Sequence, residues 1–169
     1  MRYTPAAVAL SLLAAVTAST GFSAPPAVQL DARAAVLVSA GRTALAAGQV
    51  DQAVDDYEAA LAIQPGHATI VLSLAEAARR QGMPGKALHY YRQVLGREPN
   101  NEYAISGEGA ALVEKGAVEK ARLNLSRLET LCGKDCAPTK QLAAAIARGP
   151  APRVVTAEQV QAQPVVTTN

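Results

Sequence analysis

The chain has 169 residues, of which 50% are apolar and 4% aromatic, with one Phe and no Trp. This length suits one domain of ordinary size, and the scarcity of aromatic residues predicts a core of Ala, Leu and Val between closely spaced elements. The formal net charge of +2, without a basic stripe that alternates with aromatic residues, argues against a nucleic-acid-binding protein.

The first 24 residues have the pattern of an export signal. Met1-Arg2 supplies a positive end, and Ala6–Ala18 is an apolar run of small residues and Leu. A membrane-spanning helix needs about 20 apolar residues, and this run is shorter. We therefore expect a signal peptide and cleavage region at 1–24 and a soluble mature protein, periplasmic or secreted. A retained amphipathic anchor is the alternative.

A linker that contains Pro25-Pro26 and the start of the first helix occupy residues 25–33. One sequence motif then occurs three times at a spacing of 34 residues. The copies are GQVDQAVDDYEAALAIQP from Gly48, GMPGKALHYYRQVLGREP from Gly82 and GAVEKARLNLSRLETLCG from Gly116. A period in this range is typical of repeat proteins, whose units bury their apolar faces only by stacking. The repeats are expected to span residues 34–135, as units 34–67, 68–101 and 102–135.

Each unit contains two helix patterns separated by a glycine, which accepts the backbone conformation that ends a helix. We predict first helices from near Val28–Asp31 to Ala47, at 69–81 and at 102–115, and second helices at 52–63, 85–96 and 118–131. Asp51 is the expected N-cap of the first unit's second helix, and Pro84 suits an early helical position.

A further helix pattern at 136–149 has Leu142 and Ile146 as its apolar pair, as a helix that covers the end of a repeat array requires. Residues 150–169 contain several prolines and no helical stripe, which predicts a disordered tail. A short strand added to a partner, at Val154-Val155 or Val165-Val166, is the alternative.

The repeated positions carry a family resemblance. The first copy has Gly41, Ala53, Tyr57, Ala60 and Pro65, and the second has Ala75, Ala87, Tyr91, Val94 and Pro99. This pattern resembles the tetratricopeptide repeat family. The third copy departs from it at Gly133, where Pro is expected, and Leu37, Val71 and Ile105 replace the family's Trp. The resemblance implies an all-α protein, a right-handed α-solenoid of three helix-turn-helix repeats with a C-terminal capping helix.

The resemblance also implies a concave groove lined by the first helix of each unit, where a peptide or protein segment binds. By register, the lining residues are Val38, Arg42, Leu45, Thr69, Leu72, Glu76, Arg79, Tyr103, Ser106, Ala110 and Val113. Arg and Tyr often anchor interfaces, although the same residues are also compatible with an ordinary solvated surface. The Lys/Asn arrangement by which some family members hold a terminal carboxylate is not reproduced.

Cys132 and Cys136 are the only cysteines of the chain. An even number of cysteines in an exported protein favours a disulfide, and Gly133 between them makes the necessary turn feasible. A redox role and free thiols are the alternatives. A zinc site would need further Cys or His ligands, and we expect neither a metal nor a cofactor.

No motif of a known catalytic class is present, and His67 and His89 are expected to face solvent. We therefore predict a non-enzymatic scaffold or assembly factor of the cell envelope, whose partner is another protein or a peptide. No nucleic-acid partner and no stable membrane span after signal cleavage are expected. A self-assembling structural subunit is one alternative, and a thiol–disulfide protein that uses Cys132 and Cys136 is another.

Overall fold

The computed structural model describes residues 29–150 of the chain. This part forms seven α-helices and no strand, as the sequence predicts for an all-α protein. The helices are α1 (Ala32–Ala46), α2 (Val50–Ile63), α3 (Ala68–Arg80), α4 (Pro84–Leu95), α5 (Glu102–Glu114), α6 (Val118–Cys132) and α7 (Ala137–Arg148). Across residues 29–150, no helix combines the length and apolarity that crossing a bilayer requires. The predicted signal peptide and all but the first residue of the predicted tail lie outside the described residues.

The helices pack as three successive antiparallel pairs followed by α7. Contacts within the pairs join α1 to α2, α3 to α4 and α5 to α6. Neighbouring pairs meet through α2 with α3 and α4 with α5, and the first helices also contact one another. Helix α7 packs on both members of the third pair. The first helices and α7 thus lie side by side in the order α1, α3, α5, α7.

The same glycine turn joins the two helices of every pair. Gly48, Gly82 and Gly116 have φ angles of 79°, 72° and 81°, in the left-handed region that glycine adopts without strain. The residue after each glycine donates its N–H to a carbonyl in the last turn of the preceding helix, as Gln49 does to Ala44 at 2.9 Å. This turn satisfies carbonyl groups that a helix end would leave unpaired. The 34-residue spacing of the sequence is the spacing of these turns.

The core depends on glycines that face tyrosine rings. The Tyr57 ring lies against Gly41, where an added Cβ would approach it to 2.5 Å, and the Tyr91 ring lies against Gly107 in the same way. Both rings are buried, and so are the alanines at the repeated positions Ala53, Ala87 and Ala121 in the second helices. Because the backbones come this close, larger side chains at these positions would push the helices apart.

The prediction for the N-cap of α2 is wrong. Helix α2 begins at Val50, Gln49 occupies the cap position, and no side chain makes the capping hydrogen bond. Asp51 lies in the first helical turn, where its carboxylate accepts a hydrogen bond from Gln81 Nε2 at 2.9 Å. The physical reason is the glycine turn, which needs only one residue after Gly48 before the chain becomes helical. Pro84 does occupy the first turn of α4, as predicted.

Candidate functional site

A concave groove of about 920 Å³ runs along the first helices and α7. Nine residues of the predicted groove line it, contributed by α1, α3 and α5. They are Arg42, Leu45, Thr69, Leu72, Glu76, Arg79, Tyr103, Ser106 and Ala110. Whether they bind a ligand remains a prediction, but the structure brings them to one continuous surface.

Val38 and Val113 do not line the groove and correct the predicted set. Each side chain is 2% exposed. Val38 packs in a cluster with residues of α2 and α3, and Val113 packs in a cluster with residues of α4, α6 and α7. The reason is that both apolar side chains face the layer of helices behind the groove, where more of their surface is removed from water.

Residues outside the first helices also line the groove. The sequence predicts α7 only as a capping helix, but the structure shows that it also lines the groove. It contributes Gln141, Ala144, Ala145 and Arg148. Tyr57 and Tyr91 reach the groove from the second helices. The signal for the two tyrosines was present in the sequence, because the glycines at positions 41 and 107 leave room for their rings.

Burial changes the acidity of the two tyrosine hydroxyl groups. Loss of contact with water raises the pKa of Tyr57 above its usual range, although the nearby Arg42 guanidinium acts in the opposite direction. Burial also raises the pKa of Tyr91, and the Glu76 carboxylate adds to that effect. Both hydroxyl groups are therefore neutral at physiological pH and offer the groove hydrogen bonding without charge.

Arg79 forms the centre of a charge network in the middle of the groove. Its Nη1 lies 2.8 Å from Glu76 Oε2, and its Nη2 lies 2.6 Å from Glu114 Oε1. Burial acts to lower the pKa of Arg79, but the hydrogen bond with Glu114 and the charge of Glu76 outweigh it, so the pKa is raised. Glu76 also accepts from Arg80 Nε at 3.2 Å. This network joins α3 to α5 and pairs the central charges with one another.

The surface between the charged groups is mostly apolar. Leu45, Leu72 and Ala110 line the first-helix side of the groove. Tyr103 stands at its edge with 62% of its surface exposed. The buried Ser106 hydroxyl donates to the Pro138 carbonyl at 2.9 Å, which ties α5 to the start of α7. The groove can therefore offer apolar contacts, hydrogen bonds and positive charge to one ligand.

The two cysteines lie at the junction of α6 and α7, away from the groove lining. Their Sγ atoms are at bonding distance, and their Cα atoms are 5.9 Å apart. The buried Thr139 hydroxyl lies 2.9 Å from Cys136 Sγ and donates to the Gly133 carbonyl at 2.9 Å. The fold also brings the Glu102 carboxylate within 4.8 Å of both sulfurs. Sequence spacing did not indicate that Glu102 lies this close to the two cysteines.

The histidines show no arrangement that suggests chemistry. His89 is exposed on α4, as expected. His67 differs from the expectation, because it is partly buried at the N-cap position of α3.

Comparison with known proteins identifies the repeats. Residues 38–102 match the family model described as tetratricopeptide repeat. These residues are thus similar in sequence to tetratricopeptide repeats. Over 85 residues, half of its length, the chain is 40% identical to Cellulose synthase 2 operon protein C of Komagataeibacter xylinus. The chain spans only 6% of that relative.

Solved tetratricopeptide structures confirm the fold. The first such domain of Spaghetti (RPAP3), bound to the HSP90 peptide SRMEEVD, is 20% identical with a TM-score of 0.60, covering 72% of this chain and 96% of that domain. The Sgt2 domain from Aspergillus fumigatus is 21% identical with a TM-score of 0.63, covering 74% and 84%. The predicted α-solenoid of tetratricopeptide repeats is therefore correct.

Proposed function

We propose that this chain is a non-enzymatic binding module that holds a peptide or protein segment in its concave groove. The observation that carries the proposal is the groove of about 920 Å³, which continues from Arg42 on α1 to Arg148 on α7. Concave surfaces that combine apolar walls with a few polar groups are where proteins usually hold ligands. Leu45 and Leu72 supply such walls, and Tyr103 is an exposed aromatic side chain of the kind that anchors interfaces.

A structural neighbour supports a peptide as the class of ligand. The Spaghetti (RPAP3) domain has the same fold and was solved with a bound peptide. Its identity of 20% with this chain supports the comparison of folds only, and the HSP90 peptide SRMEEVD is the ligand of that domain. The groove of this chain has its own charges and is expected to have its own partner.

We place this binding activity in the bacterial cell envelope, as a scaffold or assembly factor. The similarity to Cellulose synthase 2 operon protein C supports a bacterial assembly. The positive end and apolar run of Met1-Arg2 and Ala6–Ala18 support export to the periplasm or secretion. Cell fractionation with intact mass spectrometry tests this placement, which predicts a processed chain outside the cytoplasm. An unprocessed chain that stays in the cytoplasm would contradict it.

In that compartment we propose that Cys132 and Cys136 form a disulfide. Oxidising compartments preserve disulfides, and the Cα separation of 5.9 Å falls within the range that the bond requires. The native protein should resist alkylation until it is reduced, and it should then gain two labels. Labelling of both thiols without reduction would show that they are free.

Site-specific photocross-linking tests the groove directly. A benzoylphenylalanine placed at Tyr103 reports on the groove, and the same residue placed at Leu123 on α6 is the matched control. Both positions are highly exposed, at 62% and 72%, but Leu123 does not line the groove. We expect illumination of intact cells to give a cross-linked partner from position 103 and none from position 123.

Each alternative has its own outcome. A partner captured mainly from position 123 would move the binding site to the outer surface. A second copy of the chain as the main product would favour the self-assembling subunit, and the mass from light scattering would confirm it. A thiol–disulfide protein would lose its activity with Cys132→Ser, whereas groove binding should persist in a variant that remains folded.

A further inference from the structure

We infer that the groove selects an extended segment with a negative charge near each end, received by Arg42 and Arg148, and a neutral or apolar middle. This inference rests on the proposed peptide-binding function and names its specificity. It comes from the charged side chains along the groove, which form ion pairs at the centre and, among the described residues, form none at either end.

The centre of the groove contains its own counter-charges. Arg79 is held by Glu76 and Glu114, at 2.8 and 2.6 Å. Arg80 shares the Glu76 carboxylate, with its Nε 3.2 Å from Oε1. A carboxylate from a ligand would have to displace these partners and leave a glutamate without its arginine. The centre is therefore suited to neutral groups that contact Leu72 and Ala110.

The ends of the groove are different. Arg42 on α1 and Arg148 in the last turn of α7 both line the groove and are exposed. Within residues 29–150 neither guanidinium forms an ion pair. Glu76 is the one acidic residue among the described residues that line the groove, and it is already paired. Each end thus presents a planar donor group with free capacity for a carboxylate.

The positions of the two arginines set the length of the ligand. They lie on the first and last of the four helices that stand side by side along the groove. With packed helices 8–10 Å apart, three steps give roughly 24–30 Å. An extended chain advances about 3.3 Å per residue, so about eight residues cover this distance. Side-chain carboxylates suffice at both ends, and no chain terminus is required.

Nuclear magnetic resonance titration of the full chain tests this inference, because it detects weak binding and locates it. The probe is a blocked peptide of about eight residues with an Ala/Leu middle and Glu at each end. The matched probe has Gln at each end. We expect the Glu peptide to bind about tenfold more tightly, since two charge-assisted contacts are added. Its binding should weaken with added salt and should shift the Nε–H signals of both arginines.

Variants assign the effect to the two residues. Arg42→Gln and Arg148→Gln should each reduce affinity for the Glu peptide about threefold, with little change for the Gln peptide. Arg122→Gln is the control, because Arg122 is exposed on α6, away from the groove lining, and paired with Glu119 at 2.6 Å. Equal affinity of the two peptides for the groove would overturn the inference and leave the proposed function intact. If neither peptide shifts any groove signal, both fail together.

Discussion

The first and last helices of residues 29–150 have the same face in different surroundings, because this face is exposed on α1, the open end, and buried on α7. At the 34-residue spacing, Val36 of α1 corresponds to Ile70 of α3, Ala104 of α5 and Pro138 of α7. Ile70 and Ala104 are fully buried and Pro138 is buried, whereas Val36 is 69% exposed. Within residues 29–150, α7 therefore packs on the third pair with the face that α3 uses to pack on the first pair.

The next position on this face shows the same difference between α1 and α7. This position is Leu74 in α3 and Leu142 in α7, both buried, whereas α1 has an exposed Ala40. Within residues 29–150, helix α7 thus packs as the first helix of a fourth unit would. At the open end the same face has a smaller side chain, so less apolar surface is left in water.

The largest expected effect comes from removing the apolar anchor of α7. Leu142 is fully buried and fits against Gly109. Leu142→Ala should cost about 2–5 kcal/mol in the free energy of unfolding, because it removes buried methyl groups and leaves a cavity. The matched change at the open end, Val36→Ala, should stay within about 0.5 kcal/mol. Urea unfolding followed by circular dichroism measures both, and equal losses would show that the ends are not different.

A middle-sized effect is expected from the hydrogen bond that ties α5 to α7. Ser106→Ala removes the hydrogen bond from the Ser106 hydroxyl to the Pro138 carbonyl, which should cost about 1–1.5 kcal/mol. Hydrogen exchange should become faster along α7 and remain unchanged in α1. Ser39→Ala, at an exposed position of α1, is the control and should be close to neutral. Unchanged exchange in α7 would mean that Ser106 does not hold this helix in place.

The smallest effect is expected at the open end. Asp31 caps α1 by accepting from the N–H groups of Arg33 and Ala34, at 2.8 and 3.4 Å. Asp31→Ala should cost about 1 kcal/mol, and Asp31→Ser should restore most of that loss because Ser also caps helices. The thermal midpoint of unfolding measures both changes. If the Ser variant is as unstable as the Ala variant, the side-chain cap is not what stabilises α1.

The repeat period predicted most of the fold because every unit ends its first helix with the same left-handed glycine. Period and family register also predicted nine of the residues that line the groove. The orientation of Val38 and Val113 could not be predicted in this way. A small rotation of each helix about its axis decides whether these side chains face the groove or the core. The partnership of Arg79 with Glu114 spans 35 residues and depends on how α3 and α5 pack. The contribution of Arg148 was missed because α7 follows the last complete repeat.

Contacts between helices in this molecule are local in the chain. No helix pair in contact within residues 29–150 is further apart than α5 and α7, or their equivalents in the other units. Proteins built from such contacts typically fold within microseconds to milliseconds. We therefore expect the groove of the exported chain to assemble from its Arg42 end, which emerges first, and α7 to add the Arg148 end last.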